Sequence, residues 1–224
     1  MLQRSTCRPP SRGCYPRDVP RRPKRPYHHG DLPRALCDAA LQLIEERGTA
    51  SLTLSEVARR VGVSHAAPYR HFADKGALMT ALSAEGAHLL ADRVGAALAA
   101  AGSDPRTRFL DAGYAYVRFA VDNPGYFQAM FSSECDREDP TAVAARERSL
   151  GLLYAYIEDA QSSGFLREAA LIDVVVPVFA MHQGLAALAA SGALGPLGVT
   201  DLRTASDVAH ASLLDGLVPT PRAV

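Results

Sequence analysis

The stretch Thr53 to Phe72, TLSEVARRVGVSHAAPYRHF, gathers groups that bind anions and base edges. At helical spacing, His65, Ala66, Tyr69 and Arg70 share one face, with His71 beside them. A guanidinium there pairs with a phosphate or forks onto guanine O6 and N7. A methyl such as that of Ala66 meets the methyl of thymine, and His65 is placed for base edges. The Tyr69 hydroxyl is within reach of a phosphate, and Lys75, just beyond, is a phosphate clamp. Ser64 caps its own helix first and touches a phosphate second. Thr53 is mainly a cap, and with Ser55 it lies where the preceding helix meets a nucleic-acid backbone. Together Thr53, Ser55, Ser64, His65, Ala66, Tyr69, Arg70, His71 and Lys75 form a candidate surface for double-stranded DNA.

A second set suits a small, largely apolar molecule. Phe127, Phe131, Tyr154 and His182 lie in apolar segments and are candidate ligand contacts, although the aromatics are most simply core and the sequence does not separate core from cavity lining. Two readings of His182, a hydrogen-bonded core residue and a polar anchor in a pocket, stay open. Reactive constellations are missing. Cys135 stands between Glu134 and Asp136 with no histidine placed locally to activate it. There is no His-x-x-x-His or Glu-x-x-His pair, and no glycine-rich phosphate loop following a strand. The cysteines Cys7, Cys14, Cys37 and Cys135 fit no zinc spacing. His28-His29 reads as an incidental loop pair. The expectation is no catalytic centre, no metal and no cofactor.

The elements that position these groups are helical throughout. Asp31 caps a helix with Pro33 in its first turn, Leu32, Leu36, Ala39, Ala40 and Leu43 fall on one face, and Gly48 ends it. Thr53 and Glu56 form a capping-box pair ahead of Leu54, Val57, Ala58 and Val61. Gly62-Val63-Ser64 makes a tight turn into a second short helix, which Val57, Val61, Val63 and Phe72 anchor as an apolar plug. Asp74 opens a long helix to about Ala101. Phe109, Ala112, Gly113, Tyr116, Val117 and Ala120 repeat on one face until Asn123-Pro124-Gly125. A short aromatic segment, Tyr126 to Phe131, follows. Asp139-Pro140 opens a helix with Leu150, Leu153, Tyr154 and Ile157 inward. Residues 171 to 191 are nearly all apolar around Pro177, and a last helix covers about 201 to 217. No alternating strand pattern and no internal repeat occurs.

The run from about Leu32 to Leu82 resembles the N-terminal domain of TetR-family regulators. Gly48, Leu52-Thr53, Val57-Ala58, Gly62-Val63-Ser64, Tyr69-Arg70-His71-Phe72, Lys75 and Leu78 carry the resemblance. The segments 123–131 and Met181-His182-Gln183-Gly184-Leu185 are similar to the subgroup with a so-called WHG ligand-binding domain. This chain lacks tryptophan, and Gln183 separates His182 from Gly184. The resemblance implies an all-α chain with an N-terminal three-helix DNA-binding domain containing a helix-turn-helix. A larger helical ligand-binding and dimerisation domain would follow. It also implies a homodimer on a palindromic operator, with repression released by an effector, and a phosphate contact for Tyr69.

These readings divide the chain into a disordered basic arm at 1–26, a DNA-binding domain at 27–75 and a ligand-binding and dimerisation domain at 76–217. The arm holds eight Lys or Arg, one acid and six prolines, in a chain of formal net charge zero. Neutrality argues against a nucleic-acid coat over the whole surface but not against a local patch. Helices 171–191 and 201–217 should pair with a partner's copies, the small residues Gly184, Ala187 and Ser191 allowing close approach. No apolar run is expected to span a membrane, and no signal peptide is visible. The expected location is therefore the cytoplasm, with free thiols favoured over a Cys7–Cys14 pair. Two alternatives remain, an all-helical enzyme acting on a small molecule and a non-specific nucleic-acid binder.

Overall fold

The computed structural model describes residues 31–217. The basic segment 1–26, His28-His29, Cys7 and Cys14 lie outside them. Among the described residues there are eight α-helices and no strand. They are α1 Leu32–Arg47, α2 Leu54–Val61, α3 Lys75–Ala100, α4 Pro105–Asp122, α5 Pro124–Met130, α6 Pro140–Ser162, α7 Leu171–Ser191 and α8 Leu202–Leu217.

Their starts follow from side-chain caps. Asp31, Asp74, Asp104 and Asp139 each accept from the backbone N–H of the third residue of their helix, Asp139 from the second as well; at Asp74, Ala77 N donates at 2.8 Å. Each bond satisfies a donor the helix itself cannot. The Thr53 hydroxyl does the same for Glu56 N. The other half of that capping box is not made. The Glu56 carboxylate turns instead to Arg59, at 2.6 and 3.0 Å, and to Arg47.

Apolar packing is continuous from the N-terminal helices into the rest of the bundle. One apolar cluster runs from Leu36, Leu43 and Val57 in the N-terminal helices, through Leu78, Met79 and Leu82 on α3, to Tyr116, Phe119 and Leu185. The head is thus built on the first turns of α3. It is also held by α5, whose Gly125 N–H faces the Glu45 carboxylate on α1 at 3.4 Å. In the body, α3 packs against α4, α5 and α6, and α4 packs against α7 and α8. A second cluster, with Phe109, Tyr156, Ile157, Val174, Val178 and Leu214, closes the far end.

One expectation is corrected here. By length and composition α7, with a mean hydropathy of 1.7, could cross a bilayer. In the fold its Val174, Val178, His182 and Leu185 face are buried against the bundle. Its other face, with Ile172, Val176 and Leu188, is exposed, and the helix continues through Pro177.

Candidate nucleic-acid interface and ligand cavity

After α2 the chain turns at Gly62, whose φ of +84° is the left-handed conformation that glycine adopts without strain. The segment that follows is not the regular α-helix expected from the sequence. It is a chain of turns ending in a single 3₁₀ turn at Pro68–Arg70. Pro68 has no N–H and cannot bond back to Ser64, so the α ladder is interrupted at its first opportunity. The bonds present are Ala67 N to Ser64 O at 2.9 Å, Arg70 N to Ala67 O at 3.2 Å, His71 N to Pro68 O at 2.9 Å and Phe72 N to Pro68 O at 3.0 Å. Ser64 therefore closes the turn with its carbonyl, and its hydroxyl is exposed.

The plug differs in membership from expectation. Val57 and Pro68 are buried, Val61 and Phe72 are half-buried against the core, and Val63 is only half-buried at the turn. The proline that interrupts the helix also anchors it. On the other side the surface is open, with Thr53, Ser55, Ser64, His65, Ala66, Tyr69, Arg70 and His71 all exposed. Tyr69 shows 55% of its surface to solvent although it is large and apolar in body. Arg70 has no hydrogen-bond or ion-pair partner among the described residues, whereas the nearby Arg59 and Arg60 are paired to Glu56 and Glu46. Lys75 is placed differently from the rest of the surface. Its ammonium lies 2.6 Å from the Glu134 carboxylate and 3.4 Å from the Ala50 carbonyl. It ties the head to the segment after α5.

The body contains a cavity of 650 Å³. Leu90, Val94 and Leu98 of α3, Leu150 and Leu153 of α6, and Phe179 of α7 form much of its apolar lining. Of the four ligand contacts expected from sequence, Phe131 and His182 line it. Phe127 stands behind, its ring edge-on to Tyr116 with centroids 6.0 Å apart. Tyr154 does not line it and is 38% exposed on the outer side of α6. The inward tyrosine of that helix is Tyr156, which donates to the Pro105 carbonyl at 2.8 Å. Residues 154 and 156 differ by about 200° around a helix, so the choice depends on which neighbours α6 meets.

Sequence reasoning missed the polar node beside this cavity. His182 Nε2 lies 2.9 Å from His210 Nε2 on α8, and His210 Nδ1 lies 2.7 Å from the Ser206 carbonyl. A carbonyl only accepts, so His210 Nδ1 carries its hydrogen. In the neutral ring His210 Nε2 then accepts, and His182 Nε2–H donates to it. Burial holds both rings neutral, pushing His182 down to about 3, with the neighbouring His210 adding to the shift. His210 is lowered too, again by burial first. The signal available in the sequence was Gly113, a glycine among bulky inward residues of α4. A Cβ there would overlap the His210 imidazole.

The nearness of α5 and the segment after it to both regions gives the site a continuous frame. Residues Cys135, Asp136 and Arg137 line the cavity. The same segment grips the start of α3, with Asp136 N donating to Thr80 Oγ1 at 2.9 Å and the Cys135 thiol 3.5 Å from the Met79 carbonyl. Both Cys37 and Cys135 are free thiols.

Comparison with known proteins agrees with this geometry at both ends. The chain is 35% identical over 109 residues to the HTH-type transcriptional regulator BetI of Rhizobium meliloti, covering 47% of this chain and 53% of that one. It spans about half the length of the curated relatives it matches. Among solved structures, a protein of unknown function from Rhodococcus sp. RHA1 superposes with a TM-score of 0.73 at 31% identity, over 88% of this chain and 100% of that one. The TetR family regulator PfmR from Thermus thermophilus shares the fold, with a TM-score of 0.67 at 21% identity over 83% and 96% of the two chains. Residues 36–82 match the family described as bacterial regulatory proteins, tetR family. Residues 109–213 match the tetracyclin repressor-like C-terminal domain. With the head and most of the body each matched in order, the chain belongs to the TetR family.

Proposed function

We propose that the protein is a transcriptional regulator that binds double-stranded DNA as a homodimer and is released from a palindromic operator when a small, largely apolar effector fills the cavity. The observation that carries this reading is the surface at 64–71. An exposed tyrosine and an unpaired arginine project from a turn whose opposite side, at Val57 and Pro68, is locked into the core. Such a surface is stable without DNA and complementary to it. One turn reaches few base pairs, so two copies related by a two-fold axis, about 34 Å apart, supply the affinity. The outer faces of α7 and α8 support the pairing. Ile172, Val176 and Leu188 are exposed there, as are Gly184, Ala187 and Ser191, with Val208 on α8. Exposed apolar stripes of this kind mark interfaces.

The test is selection of bound fragments from random DNA by the purified protein, with its mass measured in solution. A two-fold symmetric motif bound by a dimer is the expected result. Equal binding to all sequences, or a monomer on a single half-site, overturns the reading. Arg70→Ala should relax preference at one base pair of each half-site by about 1–3 kcal/mol if the guanidinium reads guanine. A uniform loss with a shallower salt slope assigns it to phosphate instead.

A further inference from the structure

The two ends of the cavity differ in polarity. Helices α3 and α6 run side by side and in the same direction along it. Ala84 and Ala87 pack with Ala145, Asp92 pairs with Arg148, Gly95 faces Leu152, and Leu98 and Leu153 pack on one apolar cluster. On that axis Ser83, Asp136, Arg137 and Arg146 stand at the end where α6 begins, with Ser149 one turn further in. Toward the other end lie Val94, Leu98, Leu152, Leu153 and Phe179. The polar atoms there are already used or out of reach. The Tyr156 hydroxyl donates to the Pro105 carbonyl, His182 Nε2 is taken by His210, and the Tyr116 hydroxyl is enclosed. From Ala142 to Tyr156 α6 rises about 21 Å. A volume of 650 Å³ drawn out along that length is narrow, the shape of a chain.

The cations at the polar end hold no carboxylate. Elsewhere in the body Arg93 and Arg118 hold Asp122, and Arg203 holds Asp111 and Asp207. Arg137 and Arg146 are exposed and have no ion-pair partner among the described residues. The Arg146 guanidinium makes two bonds of 3.3 Å to a neutral acceptor, the Arg137 carbonyl. Burial pushes the Cys135 thiol up, and the nearby Ser83 hydroxyl and Arg137 charge act against it. The Arg137 charge therefore lies beside a thiol that lines the cavity.

We infer that Arg137 and Arg146 form the mouth of the cavity and bind an anionic head group, and that the ligand is a straight-chain carboxylate whose tail runs between α3 and α6 toward Leu98 and Leu153. This rests on the reading that the cavity receives an effector. A carboxylate offers two coplanar acceptors to a guanidinium fork, a better partner than the carbonyl that Arg146 holds. Asp136 shares the mouth and opposes an anion. Its carboxylate accepts from Glu138 N at 2.9 Å, and one anion beside two cations leaves the mouth net positive. A cationic head group would meet both arginines, and a neutral one would leave them unpaired. The mouth is open to water, so the head group keeps part of its hydration and avoids the cost of burying a charge. The tail leaves water for an apolar wall.

The probes are hexanoate, dodecanoate, dodecan-1-ol and dodecyltrimethylammonium, added below micelle-forming concentrations to the DNA-free protein. Dodecanoate is expected to raise the melting temperature and to bind more tightly than the alcohol or the ammonium. From hexanoate upward each methylene should tighten binding by about fourfold until the cavity is filled. Arg146→Gln should weaken dodecanoate about fivefold, the upper range for an exposed ion pair. Changing Arg137 to Gln as well should bring the loss to about twentyfold and remove most of the salt dependence of binding. Dodecan-1-ol binding and the ligand-free melting temperature should stay near the parent's in both variants. Leu153→Trp, which narrows the far end, should remove the gain from hexanoate to dodecanoate and leave hexanoate binding unchanged. No dodecanoate binding, tighter binding of the alcohol or the ammonium, or an affinity indifferent to both arginines overturns the inference. Because no DNA is present, failure here leaves operator selection to be judged separately. Dodecanoate that binds through these arginines without altering operator affinity keeps the head-group site and overturns the effector reading.

Discussion

The exposed turn at 64–71 and the histidine node treat polar side chains in opposite ways. At 64–71 the polar groups are exposed, and Arg70 carries no internal commitment. At the node, His182, His210 and Ser206 are buried and bonded to one another. A surface kept for a partner outside the protein can be altered without disturbing the fold. A buried node cannot, because each member's hydrogen bonds are needed by the next. The contrast gives two separable sets of consequences, stability from the node and recognition from the turn.

The sharpest way to break the node is Gly113→Ala. The new methyl would overlap the His210 ring, which Ser206 and His182 hold from either side. Overpacking of this kind costs about 1–3 kcal/mol, and displacing the ring adds the loss of a buried hydrogen bond. Thermal unfolding should show a loss of about 3 kcal/mol. A variant that melts like the parent would mean that α4 and α8 do not approach as described.

Acid probes the same node without a mutation. His182 is neutral in the fold down to about pH 3, but in the unfolded chain it protonates near its ordinary value of about 6.5. Between those values the unfolded state binds the extra proton, so stability rises with pH and is lost on acidification. From pH 7 to 5 the loss from His182 should be about 2 kcal/mol. The lowered carboxylates act in another window. Glu46, Glu56, Asp104 and Asp201 keep their contribution above their unfolded values and lose it below about pH 4.5. A flat melting temperature between pH 7 and 5 would show that the histidines are not held neutral.

At the turn the same measurements should be nearly silent. Tyr69→Phe and Arg70→Ala should each change stability by no more than about 0.5 kcal/mol, because neither group is used internally. The Tyr69→Phe effect should appear instead in DNA affinity, as a loss of about 1.5–3 kcal/mol per subunit if its hydroxyl donates to phosphate. That loss should be equal on all sequences. A large fall in melting temperature for either variant would erase the distinction between the two regions.

The asymmetry also explains what could be read from the sequence. Caps and breaks are local, so Asp31, Thr53, Asp74, Asp139 and Gly62 located helix ends, and the exposed residues of 64–71 followed as one short run. The irregular geometry of that run did not, because Pro68 interrupts the ladder while keeping the same residues exposed. The cavity was legible only in part. Phe131 and His182 were found as aromatic and polar residues in apolar helices. Tyr156 was passed over for Tyr154, and His210 was missed, because its role depends on meeting Gly113 and His182 across helices distant in sequence.

The smallest effect tests how the two regions communicate. Lys75 was expected to clamp phosphate, yet its ammonium is 2.6 Å from Glu134, next to the cavity-lining Cys135 and Asp136. Both side chains are partly exposed, so the pair should contribute only about 0.2–1 kcal/mol to stability, less at high salt. Its position gives it more consequence for regulation than for folding. An effector that shifts the segment after α5 would pull on the first turn of α3, and with it the head. A double-mutant cycle with Lys75→Ala and Glu134→Ala separates the roles. If Lys75 acts through Glu134, either single variant should reduce the effector's influence on DNA affinity, and the double variant should reduce it no further. Ligand-free DNA binding should then be little changed by Glu134→Ala. If Lys75 is a phosphate clamp, Lys75→Ala should weaken DNA binding on every sequence and flatten the salt slope by about one, and Glu134→Ala, by freeing the ammonium, should strengthen it.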